Sequence, residues 1–224
     1  MIRLNSKSAA LVVIDMENEF CKPGGKLYRS EGVDEVIPRL QHLLRRCREA
    51  GVQVIFVQSV RFPDAPEFSR FGQTPILLKG TWGAQLIEEL TPKEGEPVIE
   101  KHTHDCFYRT EMDPLLERLN VRPETHSIIV GGINANICVY HAVIGFHIRH
   151  YNVIVPLDCC AGWPAGREIL KTQMADPAYS YNVTLTQSDE IDLALALPPG
   201  GNEGVENSPY LHRRLCRNSF FCHP

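Results

Sequence analysis

The chain has 224 residues, with 23 lysines and arginines against 27 aspartates and glutamates, and its formal charge is −4 when its nine histidines are counted as neutral. Hydrophobic residues make up 43% and charged residues 22%, so a single domain of this length can bury a core without disulfides or metals. These values exclude the collagen-like, coiled-coil and disordered classes. Because the chain is mildly acidic and has no concentrated basic stripe, we expect a small-molecule ligand rather than nucleic acid.

The N-terminal apolar run covers only residues 9–14 before Asp15 interrupts it. It is too short for the core of a secretion signal or for a membrane span, so we expect a cytoplasmic protein that does not enter a membrane. The cysteines are too sparse for a disulfide scaffold and contain no C-x-x-C pair, so we expect most of them to be reduced thiols. They stand at positions 21, 47, 106, 138, 159, 160, 216 and 222.

Six short runs rich in β-branched residues are predicted as strands that are buried on both faces. They cover residues 9–14, 52–60, 97–100, 127–133, 152–157 and 182–186. Helical patterns lie between them, at residues 36–50, 83–90, 113–120, 136–149 and 165–175. Strands that alternate with helices pair in parallel through right-handed crossovers. The sequence therefore predicts an α/β fold of Rossmann type, a three-layer α/β/α sandwich around a mostly parallel six-stranded sheet.

Two segments do not fit this alternation. Residues 61–82 are rich in proline, phenylalanine and glycine and are too long for a simple connection in a compact domain, so they are predicted to form a lid. Residues 198–224 open with Pro-Pro-Gly-Gly and lack periodicity. We predict one domain over residues 1–197, followed by an extension over 198–224 that is flexible or packed on a partner subunit.

Three chemically reactive residues follow predicted strands. Asp15 follows the first strand, Lys101 the third, and Cys138 lies just beyond the fourth, where a Gly-Gly turn leads into a predicted helix. In open parallel sheets, ligands bind in the crevice beyond the carboxyl ends of the strands. In a parallel sheet all three residues lie at this same edge. The start of a helix stabilises a thiolate, so Cys138 is the best candidate nucleophile of the eight cysteines, and we expect the pKa of its thiol to lie below the usual value.

These three residues form a complete set for nucleophilic catalysis. A carboxylate can accept the thiol proton, an ammonium group can hold the carboxylate and the developing charge, and backbone NH groups can bind an oxyanion. Two other classes remain open at this point. One is a catalytically silent α/β binding protein, and the other is a redox protein that uses the adjacent Cys159 and Cys160.

The set resembles the isochorismatase-like cysteine hydrolases, a family that includes nicotinamidases, N-carbamoylsarcosine amidases, biuret hydrolases and ureidoacrylate amidohydrolases. The resemblance covers roughly residues 8–190. Asp15 and Phe20 match the family's D-x-x-x-x-F motif, whose aspartate is the base, and the resemblance implies that Lys101 and Cys138 complete a catalytic triad. It also implies an isochorismatase-like fold, no organic cofactor and a homo-oligomer, often a tetramer.

Residues 131–139 read Gly-Gly-Ile-Asn-Ala-Asn-Ile-Cys-Val and look like the nucleophile loop of that family. The resemblance implies a cis peptide between Ile133 and Asn134. It also implies that the NH groups of Asn134 and Cys138 form the oxyanion hole.

The match discriminates among members of the family. True isochorismatases lack the cysteine nucleophile, so Cys138 favours carbon–nitrogen hydrolysis. Residues 61–65 read Arg-Phe-Pro-Asp-Ala where nicotinamidases carry an Asp-x-His metal motif, which argues against a bound metal. Residues 79–84 and 100–102 look like the ureido and carbamoyl branch, although Thr103 stands where many of its members have arginine.

Several further residues are candidates for contact with the substrate. His102 and His104 lie two apart and point to one face of a strand without a third metal ligand, so contact with the pocket or simple exposure at the surface is favoured over a metal site. The aromatic candidates would either form walls of the pocket or pack beside the edge of the sheet. The full set is Phe20, Trp82, His102, His104, Phe107 and Asn136.

The sequence therefore predicts a metal-independent cysteine amidohydrolase. Its substrate would be a small ureido, carbamoyl or primary amide compound, cleaved through a covalent acyl-enzyme. The alternatives are a nicotinamidase-like amidase and a catalytically silent α/β binding protein.

Overall fold

The computed structural model describes residues 1–175 and 182–194, so the predicted extension 198–224 lies outside the described residues. The strands are β1 (Ile2–Asn5), β2 (Ala9–Ile14), β3 (Gln53–Ser59), β4 (Val98–Lys101), β5 (Ser127–Ile133), β6 (Asn152–Pro156), β7 (Cys160–Ala161), β8 (Val183–Thr186) and β9 (Ile191–Ala194). The α-helices are α1 (Asn18–Cys21), α2 (Ser30–Ala50), α3 (Pro66–Ser69), α4 (Met112–Arg118), α5 (Tyr140–Ile148) and α6 (Gly166–Met174).

The central sheet has seven strands, and every pair in it is parallel. The strand order is β4-β3-β2-β5-β6-β8, and the short β7 pairs with β5. The six predicted strands are all present, and β7 is the addition. Strands β1 and β9 form a separate parallel pair that the sequence patterns did not predict.

Helices cover both faces of this sheet, as predicted. Along β2, Leu11 and Val13 pack in the same core cluster as the apolar face of α2. Val12 and Ile14 point the other way, into a second cluster with residues of α4, α5 and α6. Side chains alternate across a strand, so the continuous apolar run of β2 supplies two cores at once.

The predicted helix over residues 83–90 is wrong. The segment contains only two 3-10 turns, Trp82–Ala84 and Glu88–Leu90. Between them the chain is extended, and Ile87 donates its NH to the carbonyl of Met16. Tertiary pairing with the chain that follows β2 therefore overrides the local helical pattern.

The predicted helix over residues 136–149 is divided in two. A π-helical turn, Ala135–Val139, comes first, and the α-helix α5 starts only at Tyr140. Within residues 1–175 and 182–194, no helix is both long enough and apolar enough to cross a membrane.

Candidate active site

Asp15 is the first residue beyond β2, in the middle of the sheet. Its backbone NH donates to the carbonyl of Val57, which continues the pairing of β2 with β3 by one residue. Its φ angle is 51°, in the left-handed region, where aspartate and asparagine are tolerated better than most side chains. The carboxylate is completely buried.

Lys101 is the last residue of β4 and is paired in register with Ser59 of β3. Its ammonium group is completely buried, and its Nζ lies 2.8 Å from Asp15 Oδ2. Nζ also donates to Ser59 Oγ and to the Thr103 carbonyl, both at 2.9 Å, and lies 3.4 Å from Cys138 Sγ. Lys101 therefore joins the carboxylate to the thiol in one buried cluster.

Cys138 lies in the π-helical turn after β5, on the side of the sheet covered by α4, α5 and α6. A cis peptide joins Ile133 and Asn134 at the entrance of this turn, where the family resemblance placed it. The Asn134 carbonyl accepts the NH groups of Ile137 and Val139, which closes the loop around Cys138.

Gly132 lets β5 approach β2 closely just before this loop. Its φ is +134°, and a Cβ at this position would lie 2.0 Å from the carbonyl oxygen of Ile14. Only glycine fits this backbone and this contact. The close approach brings the Cys138 loop towards the residue that follows Ile14, which is Asp15.

The electrostatics of Cys138 correct the expectation of a lowered pKa. Burial raises the pKa of the thiol, and the charge of Asp15 and a hydrogen bond to it raise the pKa further. Lys101 acts in the opposite direction with a smaller effect. Burial also opposes the charge of Lys101, but the groups that face it, led by the Asp15 carboxylate, outweigh burial and hold the lysine pKa above its usual value. The resting state therefore pairs a neutral thiol with a buried Asp15–Lys101 ion pair.

Exposure distinguishes Cys138 from the other cysteines that the structure describes. Cys138 is 5% exposed and Cys21 is 2% exposed, whereas Cys47, Cys106, Cys159 and Cys160 are 0% exposed. All six are free thiols. Cys159 and Cys160 belong to opposite core clusters, which does not favour the redox hypothesis based on this pair.

Among the predicted substrate contacts, His104 is the one placed beside the thiol. Its Nδ1 lies 3.5 Å from Cys138 Sγ, and its ring stands 5.7 Å from the ring of His141. Partial burial lowers the pKa of His104, and the positive charge of Lys101 lowers it further. A neutral imidazole therefore stands at the solvent side of the cluster.

His102 and Trp82 lie elsewhere on the surface. The Nδ1 of His102 is 2.9 Å from the carbonyl of Val60, and its ring packs near Phe62. Trp82 lines a depression of about 560 Å³ together with Asn18 and Lys22, and none of Asp15, Lys101 and Cys138 contributes to that lining.

Of the remaining three predicted contacts, Phe20 and Phe107 are buried and Asn136 is partly buried. Phe20 belongs to the core cluster of α2, on the opposite side of the sheet from Cys138. Phe107 packs edge-on against Phe146, and the guanidinium of Arg149 lies 3.6 Å from its ring centre. The Oδ1 of Asn136 is close to Gly162 and Gly166, where added Cβ atoms would collide with it. These contacts favour packing roles for Phe20 and Phe107.

The sequence patterns missed two residues that the structure places at the cluster. Ser59 accepts a hydrogen bond from Lys101, and its own NH donates to Oε1 of Glu17. Glu17 is 0% exposed. A glutamate three residues after a strand looks like an ordinary surface residue, and only its position near Asp15 and Lys101 distinguishes it.

Within residues 1–175 and 182–194, no three or more histidine, cysteine, aspartate or glutamate side chains are arranged to hold a metal ion. Metal independence remains a prediction that rests on the missing Asp-x-His motif.

Comparison with known families supports the resemblance seen in the sequence. Residues 9–187 match the model of the isochorismatase domain family.

Solved structures share the fold over most of the chain. An isochorismatase-like hydrolase from Alkaliphilus metalliredigens has 24% identity and a TM-score of 0.72, with coverage of 82% of this chain and 96% of that one. N-carbamoylsarcosine amidase from Thermoplasma acidophilum has 30% identity and a TM-score of 0.68, with coverage of 82% and 98%. Nicotinamidase from Bacillus subtilis has 20% identity and a TM-score of 0.70, with coverage of 80% and 100%.

Proposed function

Since the chain belongs to the isochorismatase family of hydrolases, we propose that it is a metal-independent cysteine amidohydrolase. Its reaction would be the cleavage of a carbon–nitrogen bond in a small ureido, carbamoyl or primary amide substrate. The observation that carries this proposal is the buried cluster in which Lys101 Nζ lies 2.8 Å from Asp15 Oδ2 and 3.4 Å from Cys138 Sγ. The cluster joins a base, a cation and a nucleophile.

In the first half of the proposed reaction, the thiol proton of Cys138 passes to Asp15 as the sulfur attacks the substrate carbonyl. The NH groups of Asn134 and Cys138 would stabilise the negative oxygen of the tetrahedral intermediate. Asp15 then returns the proton to the leaving nitrogen, and ammonia or an amine departs. A thioester on Cys138 remains.

In the second half, Asp15 accepts a proton from water, and the resulting hydroxide attacks the thioester carbonyl. The thiolate of Cys138 leaves and recovers its proton from Asp15, and the acid product dissociates. Lys101 stabilises the charge on Asp15 when the carboxylate is ionised and the charge on Cys138 when the thiolate is free. The raised thiol pKa fits this scheme, because the nucleophile forms only when Asp15 accepts the proton.

The identity to N-carbamoylsarcosine amidase supports the carbamoyl branch. That protein is 30% identical over 82% of this chain. The nicotinamidase, at 20% identity, shares the fold alone. The presence of Cys138 and the lack of histidine in residues 61–65 also favour amide or ureide hydrolysis without a metal.

The proposal is tested by a panel of small amides, carbamoyl compounds and ureides, with ammonia release as the assay. The best substrate is then mixed with the protein, quenched rapidly and mapped by mass spectrometry. We expect a substrate-derived acyl group on Cys138. We also expect Cys138→Ala to lose turnover by several orders of magnitude, because triad members act as a unit.

Cys160→Ala is the matched control, since Cys160 is a free thiol buried in the same core cluster, and the groups that contact its Sγ include the carbonyls of Pro156 and Val130 and the NH of Gly132. It should retain turnover. Substantial activity in Cys138→Ala would contradict the covalent mechanism. Ligand binding without turnover across the panel would favour the silent binding protein, and turnover confined to nicotinamide would favour the nicotinamidase-like alternative.

A further inference from the structure

Glu17 is a buried carboxyl group that the proposed triad does not use. It follows Asp15 by two residues and lies just before α1, and it is 0% exposed. Its Oε1 accepts the backbone NH of Ser59. Its Oε2 is also buried, and it has no hydrogen-bond partner within residues 1–175 and 182–194. A buried ionised oxygen without a partner is costly, whereas a neutral carboxylic acid tolerates this position far better.

The charges around Glu17 also favour a neutral carboxylic acid at this position. Glu17 interacts electrostatically with Asp15 after β2, Lys101 in β4 and Cys21 in α1. Lys101 is the cation of this set, and it lies 2.8 Å from Asp15. Two buried carboxylates that share one ammonium group repel each other, so the carboxyl without the close ion pair keeps its proton. Burial raises the pKa of Glu17 well above its usual value, and the charge of Asp15 raises it further.

A chain of hydrogen bonds connects Glu17 to the reaction centre. Glu17 Oε1 holds the backbone of Ser59, and Ser59 Oγ accepts from Lys101 Nζ at 2.9 Å. Lys101 in turn contacts both Asp15 and Cys138. A shift of Ser59 would therefore be passed to the ammonium group that positions the base and the nucleophile.

We propose that Glu17 is a positioning residue that works as a neutral carboxylic acid, holding Lys101 in place through Ser59, and that its ionisation sets the alkaline limit of activity. This inference rests on the proposed function. Ionised Glu17 would compete with Asp15 for Lys101, and the carboxylate that must accept the thiol proton would lose part of its counter-charge.

The kinetic test compares Glu17→Gln and Glu17→Leu across pH, with the best substrate from the panel. Glutamine keeps an acceptor for the Ser59 NH and is neutral at every pH, so we expect near-wild-type kcat at neutral pH and an alkaline limb that moves to higher pH. Leucine removes the acceptor, and misplacement of Lys101 should lower kcat by about 10²-fold with a smaller change in KM.

Glu19→Gln is the matched control, because Glu19 is a buried glutamate of the same segment whose Oε1 accepts the NH of Lys26. Its pH profile should equal that of wild type.

A second measurement does not depend on hydrolysis. A carboxyl group that keeps its proton in the folded state but ionises near its usual pKa in the unfolded chain makes the fold less stable as pH rises. The melting temperature of Glu17→Gln minus that of wild type should therefore increase with pH above about 4.5, the usual pKa of glutamate. If Glu17→Leu does not fold, this difference and the Glu17→Gln profile still decide the question.

Each outcome supports or overturns the inference. A constant melting difference across pH, an unchanged alkaline limb in Glu17→Gln, or loss of kcat in Glu17→Gln as large as in Glu17→Leu would each overturn it. Failure of the proposed function is a separate observation, namely no turnover on the panel or full activity in Cys138→Ala. In that case the melting comparison alone decides whether Glu17 is neutral.

Discussion

Replacing Asp15 by asparagine removes one charge from the buried cluster and preserves the shape of the side chain. Asparagine also tolerates the φ of 51° at this position, so the backbone should not change. Lys101 would keep its hydrogen bonds to Ser59 and Thr103 but would lose its counter-ion, and removal of one partner from a buried ion pair typically costs about 3–5 kcal/mol. Because both side chains of the pair are completely buried, Asp15→Asn should also lower the stability of the fold.

Cys138 is in direct contact with Lys101 and can therefore supply a negative charge in place of Asp15. A thiolate 3.4 Å from Lys101 Nζ is attracted by about 5 kcal/mol at an effective dielectric constant of about 20. Burial offsets part of this attraction, but loss of the Asp15 charge removes the second-largest cause of the raised thiol pKa. A net change of about 1.4 kcal/mol raises the thiolate fraction about tenfold. We therefore expect Asp15→Asn to alkylate at Cys138 at least about tenfold faster than wild type at neutral pH, although turnover falls by about 10²–10⁴-fold with the loss of the base.

The assay is brief iodoacetamide labelling followed by peptide mapping, repeated over a range of pH. Chemical denaturation of Asp15→Asn and of the double variant Asp15→Asn/Cys138→Ala supplies an independent measure. The double variant should be the less stable of the two, because it also removes the thiolate that contacts Lys101 directly. Slower labelling of Cys138 in Asp15→Asn, or equal stability of the two variants, would refute the inference that Asp15 and a Cys138 thiolate compete for the charge of Lys101.

Two further predictions concern the metal and the backbone. Since the Asp-x-His motif is missing, exhaustive dialysis against a chelator should leave ammonia release unchanged, and a loss that added zinc restores would revive a metal role for the histidines. Gly132→Ala should lose at least about 3 kcal/mol of unfolding free energy in urea, because its Cβ would meet the Ile14 carbonyl at 2.0 Å and φ is +134°. Gly95→Ala has a φ of +86° but no atom within 4 Å of the added Cβ, so it should lose only about 1–2 kcal/mol, and equal losses would contradict the close approach of β5 to β2.

The strands and most helices could be predicted from the sequence, because buried parallel strands are continuous β-branched runs and amphipathic helices have a regular period. The bounds of β2 and β5 agree with the predicted residues 9–14 and 127–133. The helix predicted at 83–90 failed because that segment bonds to residues that follow β2, and such pairing leaves no local signal. The strand β9 was missed for the same reason, since its partner β1 is distant in the chain.

For the candidate site, the sequence by itself determined which residues stand at strand ends, and from this it selected Asp15, Lys101 and Cys138. Position along a strand is a local property, and parallel topology brings strand ends to one edge. Only the tertiary structure decided the electrostatics, because burial and distances between elements set the balance of charge. Burial and Asp15 outweigh Lys101 at the Cys138 thiol, and Glu17 joins the cluster through Ser59 of β3. The local sequence records the type of each side chain, whereas its protonation state depends on neighbours that only the fold brings together.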